Sequence, residues 1–453
     1  MKTVPPRHSA LLVDLYELTM AQCYFRYKQH AHATFDLFVR QMPRNRSFLI
    51  TAGLEDILQY IRQLHFGSDD IKYLRSLKFF SEAFLEYLAD FKFHGDIWAM
   101  PEGTVFFPQE PVIRVTAPIM EAQLIEGFLL NTINIQTMIA SKAVRCVLAA
   151  GGKGLFDFSL RRTHGQDASL KVARSSYLAG FEATSHVQAG YYYGIPLAGT
   201  MAHSFVMSFA SEIEAFFAYS STFPQKTVLL VDTYDARKGI RKAVKIGQEL
   251  AKRGHRLVGI RLDSGNIVAL ARFARKALDD AGLQYVKIIA SGNLDEYKIA
   301  DILGKGAAVD GFGVGTHMGT SSDAPVLDVI YKLSEVGDNK HSLMPVMKLS
   351  TGKVTYPGRK QVFRINDRKG VFVKDILGLE KETPDGQPLL EKVVDRGKVL
   401  YVCPALEHIR ARVRESLNAL PAAIKELRKV QMYAVEISPA LRALTVDVSR
   451  RLA

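Results

Sequence analysis

Arginine and aspartate are uncommon inside apolar strands, and the stretch LVGIRLDSGN, residues 257–266, carries both. Leu257, Val258, Ile260 and Leu262 give it strand character. Side chains that alternate at period two put Arg261 and Asp263 on the face opposite Ile260 and Leu262. A buried guanidinium needs an anionic partner, because an unpaired charge is too costly to remove from water. Either Arg261 pairs with Asp263 and the matter is structural, or the two share an anionic ligand. Other cationic or titratable residues stand in the same place after apolar runs: Arg161 and Arg162 after GLFDFSL, and His203 soon after IPLAGT. A histidine near a strand end is commonly a satisfied core or surface residue. It is also a side chain suited to nucleophilic work near neutral pH.

Two more strand ends are built from small residues. YVKIIA runs into Ser291-Gly292-Asn293, with a helix expected from Leu294, and GFGVGT closes on Gly313, Gly315 and Thr316. A helix N-terminus binds phosphate because its first amides lack partners and its dipole is positive there. Taken singly, a glycine turn is an ordinary structural feature. Two of them at neighbouring strand ends favour a phosphate site of the kind found in β/α barrels.

The elements that must hold these residues repeat one theme from about residue 150: strand, polar tip, helix. GLFDFSL, FEA running into Thr184-Ser185-His186, IPLAGT, TVLLV, LVGIRL, YVKIIA and VDGFGVG are seven strand candidates, most of them separated by helical stretches. IVALARFARKALDDAG has helical spacing with Gly282 as its C-terminal stop. Alternation of this kind predicts parallel strands with right-handed crossovers, closed into an irregular β/α barrel whose reactive groups collect at the carboxyl ends of the strands. The expected organisation is an α/β fold in four segments. Residues 1–118 form the first part of a discontinuous α/β sandwich domain, 119–340 the barrel, 341–405 the return to the sandwich, and 406–453 a helical C-terminal region.

Composition bounds the partners. A chain of 453 residues with 48% hydrophobic content is long enough for a large domain plus a smaller one. No apolar run approaches the roughly 18 residues of a membrane span, and MKTVPPRHSALLVDLYEL lacks a secretory apolar segment, so a cytoplasmic protein without membrane attachment is expected. Cys23, Cys146 and Cys403 show no paired spacing for zinc or a disulfide framework. The net charge of +13 admits a nucleic-acid surface or diffuse excess cation on a protein that handles small anions. No basic run supports the first, and no nucleic acid is expected.

At these same residues the chain resembles the nicotinate phosphoribosyltransferase family, of the type II phosphoribosyltransferases. DLYELTMAQ (14–22), DFSLRR (157–162), GIPLAGTMAHSF (194–205), VDTYD (231–235), RLDSGN (261–266), FGVGT (312–316) and PGRKQVFR (357–364) carry the resemblance in order along the chain. It implies transfer of a phosphoribosyl group from 5-phosphoribosyl 1-diphosphate to nicotinate, giving nicotinate mononucleotide and diphosphate in NAD biosynthesis. ATP hydrolysis is coupled through a phosphohistidine, and Mg2+ arrives on the diphosphate. It further implies a homodimer with shared active sites. By motif, His203 is the phosphate acceptor, and Phe158 and the partner subunit's Tyr16 stack on the pyridine ring. Arg161 and Arg261 lie near the ring and diphosphate, with the nicotinate carboxylate on Arg261. Asp263 faces the cation that develops on the ribose, and Thr184 and Ser185 touch substrate. Ser291, Gly292, Asn293, Gly313, Gly315 and Thr316 hold the 5-phosphate. Two departures qualify the pattern: His186 in ATSH stands where asparagine is usual, and Asn266 stands where the nicotinate enzymes usually carry aspartate and the nicotinamide branch often carries asparagine. The alternatives are therefore a nicotinamide phosphoribosyltransferase and, from another class, a non-catalytic barrel that binds phosphorylated ligands.

Overall fold

The computed structural model describes residues 9–350 and 355–452. The chain divides into two compact units, Ile139–Pro325 and Lys2–Met138 with Val326–Ala453.

In the first unit six short strands, β1 (Gly154–Asp157), β2 (Ala183–Thr184), β3 (Val228–Leu230), β4 (Gly259–Leu262), β5 (Lys287–Ala290) and β6 (Gly311–Val314), form one sheet in the order β2-β1-β6-β5-β4-β3. Every pairing in it is parallel. Helices Gln166–Ala179, Ala236–Lys252, Ile267–Asp280 and Glu296–Gly304 make crossovers between strands. Their starts are set by side-chain caps: Asp235, Asn266 and Asp295 accept from the amides of Lys238, Ala269 and Lys298. The helix Ile267–Asp280 ends, as its sequence predicts, two residues before Gly282, whose φ of +74° only glycine adopts freely.

The sheet is a curled half-barrel rather than a closed one. The expected seventh strand, IPLAGT, makes a single bridge, Leu197 to Thr184. Pro196 has no amide to give a ladder, and the segment keeps only Ala198 N–H to Thr184 O (3.0 Å) and Thr184 N–H to Pro196 O (3.0 Å). Among the described residues no strand pairs β3 on its outer edge. The period-two reading of the opening stretch holds: Ile260 and Leu262 are fully buried, and Arg261 between them is only partly so.

The second unit is built on largely antiparallel sheets that draw strands from both ends of the chain; only the pairing of Phe372–Leu379 with Val435–Ile437 is parallel among the described residues. Its seven-stranded sheet pairs His32–Val39 with both Pro111–Pro118 and Val329–Gly337. Residues 329–337, assigned by sequence to the barrel, therefore belong here. Long strands with near-continuous burial, such as His32–Val39, pair by backbone regardless of which side of a domain boundary the sequence suggests. A four-stranded sheet contains Lys360–Asn366, Phe372–Leu379 and Val435–Ile437. The last of these lies between the C-terminal helices Leu406–Ala419 and Pro439–Leu452, so the C-terminal region contributes a strand as well as helices. No helix of the described residues is long and apolar enough to cross a membrane.

Candidate active site

The carboxyl ends of the parallel strands open on a cavity of about 840 Å³. β1 ends in Phe158, whose amide donates to Val314 O of β6 (2.8 Å). The chain then turns through a short 3-10 segment, Leu160–Arg162, that leaves Arg161 and Arg162 on the exposed rim. The Phe158 ring lies against Gly313, where a Cβ would come within 2.4 Å of it. Glycine at 313 is thus what allows the aromatic ring to form that wall. β4 contributes Arg261 and Asp263, and the segment after Leu197 contributes Thr200 and His203.

The β5 tip is shaped by its contact with β4. Gly292 has φ +93°, and a Cβ there would stand 1.9 Å from Asp263 O, so no other residue fits. Ser291 is buried and its hydroxyl donates to Asp263 Oδ1 (2.5 Å). Asp232, just after β3, accepts from the Asp263 amide (2.9 Å) and the Ser264 hydroxyl (2.6 Å). Asp263 is therefore held from both neighbouring strand ends, and its second oxygen, Oδ2, stands 3.9 Å from His203 Nε2. The other ring nitrogen, His203 Nδ1, is 3.2 Å from Thr233 Oγ1. A proton on Nδ1 would be given to Thr233, which leaves the Nε2 lone pair on the Asp263 side.

Arg261 does not pair with Asp263. Its Nη1 donates to Thr200 Oγ1 (2.8 Å), and its buried Nε has no partner among the described residues. Burial lowers the Arg261 pKa, and Asp263 and Asp232 oppose that shift only in part. Three guanidinium groups and one carboxylate line the cavity. A wall of that charge, with an unsatisfied N–H at its base, is arranged for an anionic ligand.

The structure gathers Phe158, Arg161, Ser185, His203, Arg261, Asp263, Ser291, Gly292, Asn293, Gly313, Gly315 and Thr316 around this cavity. Thr184 is not among its lining. It is buried, donates to Asp157 Oδ2 (2.7 Å) and accepts from the His186 amide (3.1 Å). Asp157 also accepts from the Ser159 amide and hydroxyl, so Thr184 and Asp157 together fix the ends of β1 and β2. Tyr16 lies on helix Leu15–Tyr27 of the other unit and is 46% exposed, with burial and the nearby Glu126 raising its pKa. Its neighbour Glu17 is fully buried, and that burial, reinforced by Glu126, pushes its carboxyl up to about 8.

The expected phosphate-binding helix ends differ from the sequence reading. The helix after β5 starts at Glu296, not Leu294, and its cap Asp295 already takes the Lys298 amide (2.8 Å). A carboxylate at that end competes with phosphate for the dipole. The helix after β6 is a single turn, Thr316–Gly319. What faces the cavity instead is turn backbone: among the described residues the amides of Gly292, Asn293, Gly315 and Thr316 reach no protein acceptor.

Both departures from the family pattern fall outside the cavity lining. Asn266 Oδ1 accepts from the Ala269 amide (3.1 Å) as a helix cap, a task aspartate performs equally well. His186 is 5% exposed, and its Nε2 lies 2.9 Å from Ser169 Oγ. The Ser169 hydroxyl donates to Gln166 O, so the imidazole is the donor to Ser169, and burial lowers its pKa. Sequence reasoning missed Thr200, Asp232 and Thr233. The last two stand in VDTYD, a visible polar strand end; nothing in the sequence marks Thr200 as the Arg261 partner.

Turn backbone and guanidinium groups at the carboxyl ends of parallel strands define a class of protein, the β/α-barrel enzymes that work on phosphorylated anionic substrates. The particular family follows from comparison with known proteins. Residues 154–361 match the model of the nicotinate phosphoribosyltransferase (NAPRTase) family, and residues 11–134 and 385–445 match its N-terminal and C-terminal domains. A nicotinate phosphoribosyltransferase of Mycobacterium tuberculosis is 45% identical over 431 residues, 95% of this chain and 91% of that one. Another, from Bacillus subtilis, is 36% identical over 457 residues, 95% and 93% of the two chains. The crystal structure of human nicotinic acid phosphoribosyltransferase superposes with a TM-score of 0.85 at 30% identity, over 96% of this chain and 99% of that one. The chain belongs to the nicotinate phosphoribosyltransferase family.

Proposed function

We propose that this protein transfers the phosphoribosyl group of 5-phosphoribosyl 1-diphosphate to nicotinate, forming nicotinate mononucleotide and diphosphate for NAD salvage, with ATP hydrolysis coupled to the transfer. The observation that carries the choice of base is Arg261: a partly buried guanidinium in the cavity wall, unpaired with Asp263 and with its buried Nε unsatisfied among the described residues. A carboxylate answers that group better than a neutral amide, since charge-assisted hydrogen bonds are roughly twice as strong. The position of Asn266 as a helix cap removes the feature that favoured nicotinamide. Steady-state rates on both bases test this. A difference of one charge-assisted bond predicts kcat/KM about 10- to 100-fold higher on nicotinate, and a preference for nicotinamide overturns it.

In this reading Phe158 forms one face of the pyridine slot and Arg261 takes its carboxylate. Arg161 holds the diphosphate from the rim, and the amides of the turns at 291–293 and 313–316 hold the 5-phosphate. Ser185 touches the base or ribose. Asp263 faces the ribose carbon as its bond to diphosphate breaks. His203 accepts the γ-phosphate of ATP: the Nε2 lone pair attacks phosphorus and ADP leaves. Among the described residues no three His, Cys, Asp or Glu side chains converge on a metal position. The residues present suit Mg2+ carried on the diphosphate oxygens, where it would neutralise leaving-group charge.

We further propose a homodimer in which the partner's Tyr16 closes the other face of the pyridine slot. Mixing a Tyr16→Ala chain with a His203→Ala chain, each defective in ATP-coupled synthesis, is then expected to restore that activity, because about half of the dimers formed by equal exchange are heterodimers with one intact site. Verified subunit exchange without recovered activity overturns the shared site. None of the three cysteines is in a disulfide, which accords with a reducing compartment, and we place the protein in the cytoplasm.

A further inference from the structure

We infer that Lys142 is a positioning residue that ties the two phosphate turns to one point in the fold, an inference that rests on the phosphoribosyl-transfer reading above. Lys142 lies on the helix Glu126–Ala150 and is 1% exposed. Its ammonium meets two carboxylates from different segments. Glu296, the first residue of the helix that follows the 291–293 turn, bonds Lys142 directly and is itself fully buried. Asp323, seven residues beyond Thr316 and past the single helical turn Thr316–Gly319, is 2.8 Å from the same Nζ. Arg145, one turn along the Lys142 helix, donates to Glu296 Oε1 (2.8 Å) and to the Tyr297 hydroxyl (2.9 Å). Burial alone would raise the Glu296 pKa; Lys142 and Arg145 reverse that and lower it.

The cluster does not line the cavity, yet its geometry bears on it. Between Asn293 and Glu296 there are two residues, one of them the cap Asp295, and between Thr316 and Asp323 the chain makes tight turns, with Ser321 at φ +43° and its hydroxyl on Ala324 O (2.8 Å). Neither path is long enough to absorb a shift at its anchored end. β5 and β6 pair through only two registered positions, Ile289 with Gly311 and Ala290 with Phe312, so the ladder alone is a short hinge between the two turns. A single ammonium shared by both carboxylates fixes the separation that the strand pairing leaves loose. A phosphate held by amides from both turns needs that separation, because misplacement of about 1 Å can cost about 10²-fold in rate.

The test compares Asp323→Asn, Lys142→Met and the double variant Lys142→Met/Asp323→Asn. Asp323 is partly exposed, so Asp323→Asn cuts the link to the second turn without stranding a fully buried charge. KM for each substrate, Tm, and calorimetric affinity for 5-phosphoribosyl 1-diphosphate are measured on all three. A positioning role predicts a KM and Kd for 5-phosphoribosyl 1-diphosphate raised at least ~10-fold in the single and double variants, with the KM for nicotinate within twofold of the parent. The double variant removes only one of the two carboxylates that Lys142→Met leaves without its ammonium, so at most part of any Tm lost is expected to return, while the donor KM stays high. Parental donor affinity in Asp323→Asn, or equal loss for both substrates that tracks Tm, overturns the inference. A parent chain that binds 5-phosphoribosyl 1-diphosphate but forms no nucleotide overturns the proposed function instead, and weaker binding by Asp323→Asn then still supports the link.

Discussion

Asp263→Asn is expected to lower kcat about 10²–10³-fold while the affinity for 5-phosphoribosyl 1-diphosphate changes by less than about tenfold. Asp263 is the carboxylate in a cavity otherwise walled by guanidinium groups. As the bond from the ribose to diphosphate breaks, positive charge grows at the sugar. A carboxylate roughly 5 Å away, at an effective dielectric of about 20, favours that charge by about 3 kcal/mol, close to the loss predicted for kcat. The ground state carries no such charge, so binding is spared. Asparagine keeps the shape and can still accept from Ser291, whose hydroxyl is 2.5 Å from Oδ1, so folding is preserved and the comparison isolates the charge. Single-turnover rates with calorimetric donor affinities decide it. Unchanged turnover would remove Asp263 from the chemistry.

The second large effect is expected at His203. His203→Ala is expected to abolish ATP hydrolysis and the acid-labile phosphoprotein and to leave a slow, ATP-independent synthesis of nicotinate mononucleotide. The imidazole is held by Thr233 at Nδ1, which leaves Nε2 facing the cavity beside Asp263. On the proposed mechanism, phosphorylation there would add negative charge to a cationic site and so bias substrate binding and product release, while the transfer itself would rest with Asp263 and the phosphate turns. The side chain is 42% exposed and carries no buried network, so the alanine variant is expected to fold with a Tm close to the parent. Incorporation of labelled γ-phosphate on histidine in His203→Ala would move the acceptor elsewhere. His186 is a poor substitute, being buried and bonded to Ser169.

The contrast between Asp263 and Thr184 shows how far a linear reading reaches. Both follow apolar runs and both are polar, and the same argument nominated each for the site. Asp263 faces the cavity because the β4 pattern Ile260-Arg261-Leu262 alternates, and alternation is a property of the chain itself. Thr184 ends a strand only two residues long, where the pairing of β1 with β2 and the bond to Asp157 turn the hydroxyl inward. That choice depends on a partner 27 residues away.

Local signals written in neighbouring residues determined the parallel strand–helix repeat, the stop at Gly282, the polar strand tips and the residues of one cationic site. These are period-two alternation, helical spacing and glycine turns, and each is decided within a few residues. Tertiary structure alone decided the rest. The seventh strand failed because Pro196 and its surroundings found only one bridge to β2. Residues 329–337 left the barrel because His32–Val39 offered a full antiparallel edge some 300 positions earlier. The bland ion pair of Arg261 with Asp263 never formed, because Ser291 and Asp232 from flanking strands hold Asp263 while Thr200 takes the guanidinium. Hydrogen bonds and charges select partners by distance in space, and a sequence orders residues only along the chain.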